Sequence, residues 1–128
     1  MILGIVDIDD FKEVNDTYGH DVGDRVLKEL SAYMYTQVER LPSGIFGRWG
    51  GEEFLFLAPT LKLDKVLPNF ERARQSVADL YIEGVGNRTI SLGLTAFKLG
   101  DTAETIFKRA DEALYEAKAT GKNKTCVK

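Results

Sequence analysis

Apolar and polar positions alternate along the chain in blocks, and the spacing inside each block predicts an element. Residues 2–9, "ILGIVDID", are β-branched and apolar and turn acidic at the end. A mostly buried strand that stops at a functional edge is expected there. The polar stretch "DDFKEVNDTYGHDVGD" carries two glycines and reads as a short helical turn and a loop. From Val22, apolar residues at Val26, Leu27, Leu30, Tyr33, Met34 and Val38 keep helical spacing, which Pro42 and Gly44 should end. "IFGRW" and "EEFLFLA" read as two strands joined by a Gly50-Gly51 hairpin loop, in which both glycines would take positive φ. Phe54 to Leu57 is apolar on both faces, which places that strand inside a sheet.

Helical spacing returns from Leu63 to Tyr81. Pro68 interrupts it, so either the main helix starts near Pro68 or an earlier turn is kinked. "EGVGN" is a turn and "RTISLGLTAF" a strand. Asp101 and Glu104 have capping-box spacing ahead of a helix that carries Ile106, Ala110, Leu114 and Ala117 and ends near Gly121. "KTCV" closes the chain as a short edge strand. The order β-α-β-β-α-β-α-β begins with the split βαβ arrangement of ferredoxin-like α+β folds, in which a mainly antiparallel central sheet is flanked by helices.

Composition narrows the class. The 128 residues fit one domain, and 44% hydrophobic with 29% charged residues is ordinary globular usage. A net charge of −3 argues against broad capture of nucleic acid, though not against one small anion held by a few lysines. No apolar run reaches membrane-spanning length. Cys126 is the only cysteine, so no internal disulfide forms and a cytoplasmic setting is the simpler expectation. The chain opens directly on a core strand, which predicts a piece of a longer protein; its parent could itself be membrane-anchored.

The chemistry concentrates at the strand ends. Asp7 and Asp9 point to one side of the first strand. In a ferredoxin-like sheet that strand can adjoin the hairpin, so Asp7 would meet Glu52 and Glu53. Hard oxygen ligands of this kind suit Mg²⁺, which takes one or two carboxylates and completes its shell with water and phosphates. The same pattern also fits a charged hairpin tip solvated by water.

Residues 50–54, "GGEEF", resemble the signature of the GGDEF family, the diguanylate cyclases. "DIDDFKEVNDTYGHDVGD", "TISLGLT" and "ADEALYEAKATGKNK" are similar to further motifs of that family, in order and in register across nearly the whole of residues 1–128. The resemblance implies a polymerase-palm-like fold, GTP as substrate with Mg²⁺ or Mn²⁺, and cyclic di-GMP plus pyrophosphate as products. It also implies that each domain holds one GTP and faces a second GGDEF domain in a homodimer. On that basis Asp7 and Glu52 bind metal together with the carbonyl of Ile8. Glu53 joins them or acts on the 3′-hydroxyl. Asn15 and Asp24 read the guanine edge. Lys12 and Lys118 meet the terminal phosphates, helped by the backbone N–H groups of Asp10 and Phe11, and Gly50 admits the nucleotide close to the hairpin.

Three departures from the family pattern stand out. Lys122 replaces an arginine after the last helix, which keeps the charge and loses the planar fork. The product-inhibition motif Arg-x-x-Asp is replaced by Leu41, Pro42, Ser43 and Gly44, so no inhibition through it is expected. The family's opening helix lies ahead of Met1. A rival reading is a GTP-binding module that makes nothing and regulates an attached domain, such as a cyclic di-GMP phosphodiesterase. A palm domain acting on another triphosphate is a third, opposed by Asn15 and Asp24. Of the remaining residues, His20 is expected in a loop bonded to backbone, and Arg48 paired with a hairpin carboxylate. Trp49, Tyr115 and Cys126 are expected to pack.

Overall fold

The structure, a computed structural model, describes residues 1–128. Eleven elements follow in order: β1 (Ile2–Ile8), α1 (Phe11–Tyr18), α2 (His20–Val38), β2 (Ile45–Gly50), β3 (Glu53–Ala58), α3 (Leu63–Asp79), β4 (Tyr81–Ile82), β5 (Gly86–Asn87), β6 (Ile90–Ala96), α4 (Ala103–Ala119) and β7 (Thr125–Val127). The main sheet has five strands in the order β2-β3-β1-β6-β7. All its pairs are antiparallel except β6 with β7. Its first four strands keep the expected split βαβ arrangement, and β7 adds the parallel edge. No helix is long and apolar enough to cross a membrane.

Every residue of β1 is buried, because the strand lies mid-sheet with helices on both faces. Ile2, Val6 and Ile8 point into a large core with α1, α2 and α3. Leu3 and Ile5 point the other way, against Ile106, Ala110 and Leu114 of α4. Asp7 shares that second side.

The local readings needed several corrections. The stretch after β1 forms two full helices, separated only by Gly19 at φ 88°. His20 therefore opens α2 and is exposed, rather than sitting in a loop. Helix α3 begins at Leu63 and runs through Pro68. The hairpin loop is shifted by one residue: Gly50 pairs with Glu53, and only Gly51 takes positive φ, at 51°. A bulge between Arg48 and Gly50 absorbs the offset.

The cap of α4 is also displaced. Thr102 and Thr105 form the capping box, in which Thr105 N donates to Thr102 Oγ1 (3.2 Å) and Thr102 N to Thr105 Oγ1 (2.9 Å). Asp101 instead accepts a two-pronged bond from Arg109, at 3.0 and 2.6 Å. Arg109 also donates to Thr95 Oγ1 and the Ala96 carbonyl, tying α4 to β6. The guanidinium holds the Asp101 carboxyl well below the usual range. Trp49 and Tyr115 are 62% and 76% exposed, so neither fills the core, and Cys126 is only half-buried.

Helix α4 rests directly on β6 at Gly93. A Cβ there would lie 2.3 Å from the Ala110 carbonyl oxygen and 2.3 Å from Leu114 N, both backbone atoms that cannot swing aside. Gly93→Ala is therefore expected to destabilise the domain by about 1–3 kcal/mol in urea denaturation. An unchanged midpoint would show that α4 has slack.

Candidate active site

Three segments converge at the end of β1. Asp7 lies opposite Glu53 on the adjacent strand, and Ile8 N donates to the Glu52 carbonyl at 3.3 Å, so the hairpin turn closes over the strand end. Lys118, in the last turn of α4, comes from the helix covering this face of the sheet and places Nζ 3.1 Å from Asp7 Oδ2. The second Asp7 oxygen, Oδ1, is buried with no hydrogen-bond partner. A buried, unpartnered carboxylate oxygen beside two further glutamates suits a divalent cation. No three carboxylate, thiol or imidazole groups converge as ligands, but Mg²⁺ needs only one or two. The residues present thus fit the ion.

Burial pushes the Asp7 carboxyl up to about 6, more than the adjacent Lys118 ammonium draws it down; Glu52 and Glu53 push in the same direction as burial. Glu53 is also raised, first by burial and then by the negative charges of Asp111 and Glu52, against the pull of Lys118. Because the folded Asp7 holds its proton above the ordinary carboxyl range, metal-free stability falls as pH rises from about 4 through about 6. A cation must displace that proton, so its affinity rises over the same window. The ionised fraction of Asp7, and Mg²⁺ affinity with it, should grow about tenfold between pH 5 and pH 7. Melting curves with and without Mg²⁺ at the two values check this; an equal Mg²⁺-induced shift at both would remove Asp7 from the ligand set.

Asp9 does not join the cluster as an open ligand. Its carboxylate is fully engaged, accepting from Thr89 Oγ1 (2.8 Å), Ser91 Oγ (2.7 Å) and Asn123 N (3.0 Å). It pins the loop after α4 to the end of β1. In that loop Lys122 sits at φ 62° and its Nζ lies 2.5 Å from Asp10 Oδ1. No side chain caps the N-terminus of α1, and its first N–H groups, those of Phe11 and Lys12 among them, have no intrahelical acceptor.

On the other side of the turn an open cleft of about 290 Å³ is lined by Phe11, Lys12, Asn15, Asp24, Arg48 and Glu52, among others. Asn15 and Asp24 therefore share one hollow, on neighbouring helices, and Glu52 connects it to the strand end. A larger hollow of about 730 Å³ lies farther along α2 and β2; it shares Asp24, Leu27 and Arg48 with the cleft but none of the strand-end carboxylates. The smaller cleft is the one that joins Asn15 and Asp24 to Glu52 at the hairpin turn. Arg48 Nε donates to the Gly51 carbonyl (2.9 Å), bracing the turn instead of pairing with a hairpin carboxylate. A Cβ at Gly50 would meet nothing within 4 Å, so that flank is open to a ligand.

Sequence reasoning missed Gly23. It lies in the first turns of α2, and a Cβ there would fall 1.8 Å from Asn15 Oδ1. Its absent side chain makes the space in which Asn15 sits. A glycine inside a helix, where it costs stability, was the available signal. Asp111 was missed too, because only packing of α4 brings its charge near Glu53.

The chain belongs to the GGDEF family: the model described as "Diguanylate cyclase, GGDEF domain" matches residues 1–124. Diguanylate cyclase DgcM of Escherichia coli is 39% identical over 122 residues, which cover 95% of this chain and 29% of that protein. The structure of diguanylate cyclase SiaD with its activator SiaC from Pseudomonas aeruginosa superposes with a TM-score of 0.90 at 41% identity, covering 99% of this chain and 49% of SiaD. The GGDEF domain of DgcB from Caulobacter crescentus, solved with c-di-GMP, gives 0.86 at 31% identity, over 98% of this chain and 76% of that one. The chain thus spans less than a third of the length of DgcM. The palm-like α/β fold is that of these structures.

Proposed function

We propose that the domain condenses two GTP molecules into cyclic di-GMP, each domain of a facing pair presenting one nucleotide. The observation that carries this reading is the cleft that holds Asn15 and Asp24 together with Glu52, whose turn closes over the strand end where Asp7 pairs with Glu53. An amide and a carboxylate complement the donor and acceptor edge of guanine. A base held there lays its phosphates along Lys12 and the open N-terminus of α1, toward Lys118 and Lys122.

Asp7, Glu52 and the Ile8 carbonyl would hold Mg²⁺ or Mn²⁺, which supplies charge neutralisation at the phosphoryl group and acidifies a nearby hydroxyl. Glu53, kept basic by burial and by its acidic neighbours, takes the proton of the 3′-hydroxyl. The 3′-oxygen of one nucleotide forms a bond to the α-phosphorus of the other, and the bond from that phosphorus to the β-phosphate bridge breaks, releasing pyrophosphate. The step occurs twice, once from each half. Facing domains make the reaction effectively intramolecular, which is where most of the rate arises. Residues 41–44 offer no arginine or aspartate, so product should not inhibit through that segment.

Incubation of the concentrated domain with GTP and Mg²⁺, followed by chromatography, tests this: cyclic di-GMP should appear at a rate rising with more than the first power of protein concentration. Binding of GTP with no product at any concentration would overturn it in favour of a non-catalytic, regulatory module. Tighter binding of ATP than GTP would overturn the guanine assignment.

A further inference from the structure

Lys118 is not poised over an open phosphate site. Its ammonium lies 3.1 Å from Asp7 Oδ2 and 3.8 Å from Asp9 Oδ1, and it makes no other hydrogen bond or ion pair. Asp9 has three other donors and does not need it. Asp7 has none, and its other oxygen is unpartnered. The ammonium is thus the sole neutralising group on the carboxylate assigned above as the principal metal ligand. A divalent cation on Oδ1 and the ammonium on Oδ2 would share one half-buried carboxylate and repel each other, so each weakens the other's hold on Asp7.

We propose that Lys118 is a displaceable plug: it neutralises Asp7 while the site is empty and transfers to the nucleotide's triphosphate when the cation takes Asp7. Metal and triphosphate then bind with positive coupling, because each removes a cost the other would bear alone. The lysine's long stem, near the end of α4, gives the head group reach without moving the helix. Its neighbour Lys122 is already tied to Asp10 and does not compete for Asp7. The inference rests on the reading of Asp7 as a metal ligand, and it turns Lys118 from a fixed phosphate contact into a positioning residue that sets the order of binding.

Mn²⁺ titrated into the nucleotide-free protein, followed by the electron paramagnetic resonance of the free ion, is the first measurement. Lys118→Met should bind Mn²⁺ about fivefold to tenfold more tightly than the unaltered protein, since the competing charge is gone. Calorimetry with the Mg²⁺ complex of guanosine 5′-(α,β-methylene)triphosphate should show the opposite, weaker binding by a similar factor. Opposite shifts are the signature, because a lysine that only supports the fold would move both affinities the same way. Lys118→Gln should repeat the pattern and serves if the methionine variant folds poorly. Asp7→Asn separates the two ideas. If it loses Mn²⁺ while Lys118→Met binds no tighter than the unaltered protein, the plug is wrong and the metal site stands. If Asp7→Asn binds Mn²⁺ as well as the unaltered protein does, both fall.

Discussion

Glu53→Gln is expected to lower the rate of cyclic di-GMP formation by about 10²–10⁴-fold, the usual contribution of a positioned base. Glutamine keeps the shape of the side chain and removes its charge and basicity. Glu53 lies opposite Asp7 across the β1–β3 pair, in the one place where a group on the hairpin strand reaches the proposed metal ligand. Its carboxyl is held above the usual range, so it is a stronger base than an exposed glutamate. The fold should not suffer. The change removes a charge that burial and the neighbouring Asp111 and Glu52 both oppose, so the metal-free variant should melt no lower than the unaltered domain. Loss of rate with intact melting, measured on the same preparation, identifies a chemical role. A variant with full rate would exclude Glu53 from proton transfer.

Gly23→Ala should separate stability from recognition in a different way. At an unobstructed helix site this replacement stabilises by about 0.5–1 kcal/mol. Here the new methyl would fall on Asn15 Oδ1, the free end of a side chain that can swing away. The helices should therefore stay packed while the amide leaves the position proposed for it against guanine. GTP affinity is expected to fall about 10–100-fold, the loss of one or two hydrogen bonds in a desolvated site. Preference for GTP over ATP should shrink with it. Asn15→Ala should produce the same loss, and the double variant little more, because both changes remove one interaction. Additive losses in that cycle, read by calorimetry, would show that Gly23 does not act through Asn15.

The boundaries and the caps were where sequence reading failed, each for a stated reason. The Asp101–Glu104 spacing matches a capping box, but Arg109, about two helical turns on, claims Asp101, and Thr102 with Thr105 takes over the cap. The diglycine pair suggested its own loop, yet the bulge near Trp49 moves the turn one residue on, so that Glu52 joins the turn and Glu53 opens the strand. The polar stretch after β1 carries few apolar residues, which hid α1; the burial of Phe11 and Val14 is enough to hold it against α2. Asp9 and Asp7 looked equivalent in the strand pattern. Donors from Thr89, from Ser91 of β6 and from Asn123 in the loop after α4 make one of them structural and leave the other with an unpartnered oxygen.

By itself the order of residues determined the split βαβ plan, the acidic strand end and the glutamate pair at the turn. Those follow from periodicity and local chemistry, which are written along the chain. Tertiary structure alone decided which carboxylate stays unsatisfied, that Lys118 sits on Asp7, that Gly23 makes room for Asn15, and that Asp111 faces Glu53. Each of these depends on how closely α4 rests on the sheet or α1 on α2. Such distances are set by packing between segments far apart in the chain, and no local pattern encodes them.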